Sequence, residues 1–385
     1  MISLVLPTYN EVASIQEVLQ RASEALRGTG AEFELIVVDD SSPDGTAELA
    51  EALAHEMPVR MVRRLGRGGL ALAVVDGWRV ARGEVLGVMD ADLQHPPEVL
   101  TRLVDALSRQ GVDLVIASRS GSGEASADWS WRRRSTSWLA RHLAACVLPW
   151  TLVDVRDSMS GMFLVRRGVL KGAQLEPRGY KILLEVLAKG VYEQFIEVPY
   201  KFEPRGRGSS KLGTRQALEF LLHLARLAES TGQLQTWTRY AAVGFSGAAL
   251  DVGLCTFLVR QMGWPVALAL AVAIQVALLS NFLWNKVLTF RGMPPSAGNR
   301  TRMSAPLFQY EKVCLPAVVL NALLTLLLRW QGVALPLACA AGVMLGGAWN
   351  LLFNVPSIWR TWGPRSLRSA VAVGASVRPA GSARL

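Results

Sequence analysis

Asp90 and Asp92 stand one residue apart in MDADLQHPPE, Met89 to Glu98, directly after the apolar run Val85 to Val88. Side chains alternate along a β-strand. A D-x-D at a strand's end therefore aims both acids the same way, where one hard divalent cation can meet them, and Gln94 could add a third oxygen. A solvated acidic turn before a helix opening at Pro96 and Pro97 uses the same residues equally well, since proline suits a first helical turn. D-x-D alone leaves the choice even, and the surrounding motifs weigh it toward a Mg²⁺ or Mn²⁺ site.

Other polar residues follow apolar runs in the same manner. In VVDDSSPDGT, Asp39, Asp40 and Asp44 are all able to form a turn and cap a helix, and that is the reading preferred for Asp44. Two adjacent acids exceed what a turn needs, so Asp40 is read as a ligand group able to accept hydrogen bonds from a nucleobase. Tyr9 is either core or a ring stacked on that base, and stacking is favoured. Gly66-Arg67-Gly68-Gly69-Leu70-Ala71 matches G-x-G-x-x-A and raises a dinucleotide-binding alternative. It follows the third strand rather than the first, and a tight loop needs the same glycines, which disfavours NAD. Arg205 and Lys211, in RGRGSSK, combine cations with glycines, as a loop closing over a pyrophosphate would, although a solvated linker has the same composition.

The elements that must position these groups are short apolar runs separated by helical patterns. Ile2 to Leu6, Phe33 to Val38, Val59 to Val62, Val85 to Val88 and Leu114 to Ala117 read as strands. Alternation of this kind predicts an α/β fold with a doubly wound sheet, whose ligands bind beyond the carboxyl ends of the strands. Tyr9, Asn10 and Glu11, Asp39 and Asp40, Asp90 and Asp92, and Arg119 all fall there. Trp129 to Trp150 holds four tryptophans among arginines, the composition of an interfacial helix. Gln216 to Ala228 reads either as a second surface-lying helix or as ordinary core packing.

The chain has 385 residues and a formal charge of +10. Such a charge suits nucleic acid or an anionic membrane surface, and the hydropathy favours the membrane over nucleic acid. Ala241 to Val259, Pro265 to Leu283, Val313 to Trp330 and Val333 to Phe353 are each near the ~20 residues that span a bilayer. This predicts a catalytic domain over 1–230, an all-α domain of four transmembrane helices over 236–360 and a basic, disordered tail over 361–385. Lys286, Arg291, Arg300, Arg302 and Lys312 lie between the second and third helices, and Arg365 and Arg368 follow the fourth. The positive-inside rule then places both termini and the catalytic domain in the cytoplasm, in a multi-pass protein of a prokaryotic plasma membrane. Cys146, Cys255, Cys314 and Cys339 lack C-x-x-C spacing and sit in apolar surroundings, which argues for neither disulfides nor zinc. Asp251, inside the first of these helices, is either a functional group or an acid hydrogen-bonded within the bundle. NFLWNKVLTFR from Asn281 and NLLFNVPSIWR from Asn350 form an internal repeat.

The ordered set LPTYNE, VVDDSSPDGT, LGRGGLALAVVDG, MDADLQHPPE, ASR, DSMSGMF, RGYKILLEVL and EVPYKFEPRGRGSSKLG resembles family 2 glycosyltransferases of GT-A fold, in the dolichol- or polyprenol-phosphate mannosyltransferase group. The repeated C-terminal unit resembles the GtrA-like membrane family. The first resemblance implies nucleotide-sugar contacts from Pro7, Tyr9, Glu11, Val38, Asp40, Asp90, Ala91, Asp92 and Gln94. It also implies metal contacts from Asp90, Asp92 and Gln94, and acceptor-phosphate contacts from Arg119, Arg133 and Ser137. Asp92, Arg119, Arg133, Ser137, Arg205 and Lys211 form the expected catalytic set, and Asp157 in DSMSGMF either orients the acceptor or holds its loop. Where the family has an asparagine a few residues beyond Ser137, this chain reads Ala140-Arg141. The implied reaction moves a hexose, mannose from GDP-mannose first, onto a polyprenyl phosphate with inversion. A UDP-sugar donor and a non-enzymatic translocator of polyprenyl-linked sugar are the alternatives. A processive synthase is disfavoured by the lack of Q-x-x-R-W.

Overall fold

A computed structural model describes residues 1–66, 68–119, 131–152, 154–177, 181–203, 214–289, 304–351 and 369–370. The chain divides into two compact units, one of residues 1–141, 154–223 and 366–385, the other of 142–153 and 224–365. Its elements run β1 (Ile2–Thr8), α1 (Ile15–Arg27), β2 (Phe33–Asp39), α2 (Thr46–Leu53), β3 (Val59–Arg63), α3 (Leu70–Val80), β4 (Val85–Met89) and α4 (Val99–Ser108). There follow β5 (Leu114–Ser118), α5 (Trp131–Val147), α6 (Pro149–Leu152), β6 (Met162–Arg166), α7 (Ile182–Lys189), β7 (Gln194–Pro199) and α8 (Thr214–Ser230). The second unit holds α9 (Gln233–Arg260), α10 (Val266–Trp284), α11 (Ser304–Trp330) and α12 (Leu335–Trp349), and a two-residue strand β8 (Ser369–Ala370) closes the first unit's sheet.

The sheet order is β3-β2-β1-β4-β6-β5-β7-β8. β1, β2, β3 and β4 are mutually parallel, as are β5 and β7, but β6 runs antiparallel between β4 and β5. The expected α/β sheet is therefore mixed, with one antiparallel strand among parallel ones. Continuous apolar runs suit strands covered on both faces, and Leu4, Leu6, Leu35, Val37, Met89 and Val115 are all buried in one core. Helix α1 presents Ile15, Val18, Leu19, Ala22 and Leu26 to that core at helical spacing. Leu100 and Leu103 of α4 join it, and each fully buried leucine contributes about 1.5–3 kcal/mol.

In the second unit, α9, α10 with its π-helical extension Asn285–Thr289, and α11 from Tyr310 are long and apolar enough to cross a membrane. Helix α12 is apolar but has 15 residues, short of that length, so the expected fourth span is described only as a shorter apolar helix. All four cysteines are free and buried. Helix α8 carries Leu218, Leu221 and Leu222 exposed while Leu224, Leu227 and Ala228 are buried, so the apolar residues of Gln216 to Ala228 serve both a core and an outward face. Trp138 and Leu139 of α5 are likewise exposed.

Candidate active site

The carboxyl ends of β1, β2, β4 and β5 deliver the polar residues expected there. Pro7 and Val38 are buried neighbours in the β1–β2 register, one position before Thr8 and Asp39. Beyond β1, Tyr9 and Glu11 are half-buried and Asn10 exposed. This loop is fastened to the next one: the Asn10 N–H donates to Ser42 Oγ at 2.9 Å, the Glu11 N–H to Thr46 Oγ1 at 3.0 Å and the Val12 N–H to Asp44 Oδ2 at 3.2 Å. Asp44 also accepts from the Thr46 N–H at the start of α2, so it is the turn-forming acid of VVDDSSPDGT.

The two adjacent acids divide their work. Asp39 accepts from Thr8 Oγ1 at 3.1 Å and from the Ser42 N–H at 2.8 Å, which ties the first two strand ends together. Asp40 accepts from the Gly68 N–H at 3.1 Å and the Gly69 N–H at 2.9 Å, and is paired with Arg64. The glycines of G-x-G-x-x-A thus bring backbone donors onto a carboxylate of the protein itself. A base reaching Asp40 would share an acceptor that already holds this loop.

At the end of β4 the D-x-D forms a tight turn. Asp92 Oδ1 accepts from the Gln94 N–H at 3.1 Å, and Leu93 between them has φ of +60°. Gln94 is buried and donates through Nε2 to the Glu203 carbonyl at 3.4 Å, and Ala91 is buried with its carbonyl receiving Ser14 Oγ at 2.8 Å. The Asp90 side chain is 42% exposed. Gly161, just before β6, leaves it room: a Cβ there would lie 2.0 Å from Asp90 Oδ2. Asn10, Ser41 and Leu93, the non-glycine residues with positive φ among those described, all lie in these strand-end loops.

His95, Lys181 and Tyr200 were not singled out from the sequence. His95 is buried, with Nε2 3.6 Å from Asp90 Oδ2, its Nδ1 2.8 Å from the Tyr200 hydroxyl, and its ring stacked on that of Tyr200. Lys181 Nζ donates to the Met159 carbonyl at 2.9 Å. Desolvation pulls the Lys181 ammonium down to about 8, Arg119 adds to that, and Asp90, Asp157 and Asp92 oppose it. For Asp90, desolvation favours the neutral acid, but the combined pull of His95, Lys181 and Arg119 holds its carboxyl below the usual range. Arg119 follows β5 and meets the fully buried Asp157, whose own loop is held by Glu197 accepting the Asp157 N–H at 2.8 Å. Burial opposes both charges of this pair, yet mutual bonding lowers the Asp157 pKa and raises that of Arg119.

Arg133 and Ser137 lie on α5, but their side chains, like Arg205 and Lys211, fall outside the described residues. Among the described residues no three His, Cys, Asp or Glu side chains gather into a metal-binding group. Asp90, Asp92 and Gln94 offer two carboxylates and a carboxamide, hard oxygens of a kind that would fit one divalent cation. The space beside Gly161 keeps one of those carboxylates accessible.

Paired acids after a central strand, under the charges of Arg119 beyond β5 and Lys181 ahead of α7, in a sheet with one antiparallel strand, are the arrangement of a transferase domain of GT-A type. Residues 3–172 match the model for Glycosyl transferase family 2, and residues 239–359 match that for the GtrA/DPMS transmembrane domain. The chain is 35% identical over 360 residues to the dolichol-phosphate mannosyltransferase of Pyrococcus furiosus, covering 94% of this chain and 99% of that one. It is 35% identical over 235 residues to the enzyme of that name from Saccharomyces cerevisiae (58% of this chain, 86% of that one). To the polyprenol monophosphomannose synthase of Mycolicibacterium smegmatis it is 34% identical over 232 residues (58% and 84%). The protein belongs to glycosyl transferase family 2, in the dolichol-phosphate mannosyltransferase group, and is an enzyme with a membrane domain of the GtrA/DPMS type.

Proposed function

We propose that this protein transfers mannose from GDP-mannose to a polyprenyl monophosphate with inversion, releasing GDP and a lipid-phosphate-linked sugar. The observation that carries this reading is the pairing, at one sheet edge, of acids suited to a metal-bound pyrophosphate with Arg119 and Lys181, whose charges interact with them. Similarity to the dolichol-phosphate mannosyltransferase of Pyrococcus furiosus along nearly the whole chain supports the sugar and the acceptor class.

Asp90, Asp92 and Gln94 would hold Mg²⁺ or Mn²⁺, which supplies charge neutralisation to the departing pyrophosphate. Pro7, Tyr9, Glu11, Val38, Asp40 and Ala91 line the nucleotide side. Arg119, Arg133 and Ser137 orient the acceptor phosphate behind the anomeric carbon, and Arg205 and Lys211 close over the donor. The new bond joins a phosphate oxygen to that carbon as the bond to the pyrophosphate breaks. A phosphate with a second pKa of ~6 is already substantially anionic at neutral pH, so orientation matters more than deprotonation. The functional division is a catalytic domain over 1–230, a domain of four membrane helices over 236–360 and a tail beyond. Both ends and the catalytic domain lie in the cytoplasm of a prokaryotic cell.

The test is purified protein with a polyprenyl phosphate and a panel of GDP- and UDP-sugars, reading lipid-linked product. GDP-mannose is expected to be turned over fastest. Preference for a UDP-sugar replaces the donor assignment, and no consumption of any donor overturns the enzymatic reading in favour of a translocator.

A further inference from the structure

The second unit has an open-sided cavity of about 420 Å³ among α9, α10, α11 and α12. Its wall is mostly apolar, but Asp251, Asn281, Asn321 and Asn350 all face it. Asp251 on α9 is 3% exposed and accepts from Asn321 Nδ2 on α11 at 3.0 Å through Oδ2, while its Oδ1 is buried with no hydrogen-bond donor among the described residues. Asn281 Oδ1, another buried oxygen without a donor among the described residues, lies against Gly247, where a Cβ would sit 2.2 Å from it.

The internal repeat explains the arrangement. Asn281 and Asn350 are equivalent positions, and Asp251 and Asn321 precede them by 30 and 29 residues. The Asp251–Asn321 bond therefore joins equivalent positions of two similar hairpins. Asp251 is nine residues from the end of α9 and Asn321 nine from the end of α11, about 14 Å of helix in each case. That is near mid-depth of a ~30 Å hydrocarbon layer. The wall turns from α to π hydrogen bonding at Asn285 in one hairpin and at Asn350 in the other, a local widening frequent at functional sites.

We infer that this cavity is a monovalent-cation site, with Asp251 Oδ1 and the carboxamide oxygen of Asn281 as ligands. A carboxylate at this depth must be neutralised, by its own proton or by a bound cation, and among the described residues no Lys, Arg or His lines the cavity. A neutral sugar would donate hydrogen bonds but leave the charge uncompensated. A lipid phosphate would add a second negative charge. One carboxylate with carboxamide oxygens balances one positive charge, and an all-oxygen shell suits a hard alkali ion such as Na⁺. This inference needs only the helical unit and goes beyond the transfer reaction.

Radiosodium binding to the full chain in detergent, at constant ionic strength made up with choline chloride, tests it. Saturable binding near one ion per chain is expected, with thermal stabilisation rising with Na⁺ as for any ligand of the folded state. Asp251→Asn should abolish both effects, and Asn281→Ala should weaken binding about tenfold or more. If Asp251→Asn alone fails to fold, the exchange Asp251→Asn with Asn321→Asp keeps the inter-helix hydrogen bond and returns the charge, and should restore binding. No saturable binding to the wild type, equal binding to Asp251→Asn, or unchanged affinity in Asn281→Ala overturns the site. So does an infrared carboxylic-acid band from Asp251 that persists at saturating Na⁺, which would make the residue a structural acid carrying its own proton.

Discussion

Arg119 grips Asp157 with both arms of its guanidinium, Nε to Oδ2 at 2.7 Å and Nη2 to Oδ1 at 2.7 Å, while its own backbone N–H donates to Oδ2 at 3.0 Å. Asp157 has no exposed surface and the Arg119 side chain is 22% exposed. A planar fork on a buried carboxylate fixes the arginine's direction, and lysine could not reproduce it. Asp157 thus fixes the placement of Arg119, and in the proposed reaction it would act only through that arginine.

Asp157→Asn keeps the shape but strips the charge that holds this arginine. Removing one partner of a buried pair typically costs about 3–5 kcal/mol, so a clear fall in unfolding temperature is expected, with a raised KM for polyprenyl phosphate. Thermal unfolding and acceptor titration measure the two effects. A variant with wild-type stability and acceptor KM would contradict the positioning role.

Asp92→Asn should fold normally and lose about 10²- to 10⁴-fold in turnover, since ~1.4 kcal/mol corresponds to each factor of ten and the change leaves an oxygen in place but removes one of the two negative charges that would hold the divalent ion. Product formation across a Mg²⁺ or Mn²⁺ titration, with EDTA as the zero point, is the measurement. Wild-type activity that persists in EDTA would reduce MDADLQHPPE to a capped turn.

Gly161→Ala places a methyl group where Asp90 Oδ2 now lies. The aspartate must rotate away, and the metal concentration for half-maximal activity should rise about 10- to 100-fold, the scale on which groups that orient metal ligands act. Saturating metal should recover part of the rate. An unchanged metal requirement would mean that Asp90 is not held by this approach.

Glu34, at the opposite edge of the sheet, predicts acid sensitivity. Its Oε1 accepts from Ser3 Oγ at 2.6 Å and from the Arg82 N–H at 2.7 Å, and Arg60 lies 3.3 Å from Oε2. Desolvation opposes its ionisation but is outweighed by these bonds, so its folded pKa lies below the usual value. Its contribution is then fully present above the unfolded pKa of ~4.3 and is lost as pH falls through the lower folded one. Glu34→Gln should be less stable near neutrality and show a shallower loss of stability below pH ~4. Parallel stability-versus-pH curves for the two proteins would argue against this.

Removing residues 236–385 should leave a domain that turns over donor in detergent, because every proposed catalytic residue precedes α9. Reduced activity at low acceptor concentration is expected, since a membrane-anchored enzyme meets its lipid at higher local concentration. Complete loss with retained folding would rule out the proposed division.

The part of this site legible in the sequence is the part built from strand ends. Apolar runs closed by Tyr9, Asp40, Asp90 and Arg119 mark which residues share an edge, because side-chain alternation and strand order act locally. The strands β6 and β7 left no comparable signal. MFLVR and QFIEVP are at least as long as the strands β3 to β5, but the pairing and sense of a strand depend on where the chain returns, which periodicity does not encode. His95 was hidden for a related reason: what makes it part of the site is Tyr200 and Phe202, more than a hundred residues away. Asp40 shows the converse. Its residue type suggested a ligand group, whereas the two glycine N–H groups that claim it become visible only in three dimensions.

The left-handed backbones of Asn10, Ser41 and Leu93 have a thermodynamic consequence for the enzyme's working cycle. Each such residue costs on the order of 1–2 kcal/mol relative to a relaxed conformation, least for asparagine and most for the branched leucine between Asp92 and Gln94. That cost is borne once, by folding, where the buried sheet beneath the loops outweighs it. Loops already bent to shape lose little conformational entropy when a ligand arrives, so more of each contact's energy remains as affinity. The edge of the sheet proposed to recognise the donor is thus preorganised at the expense of global stability.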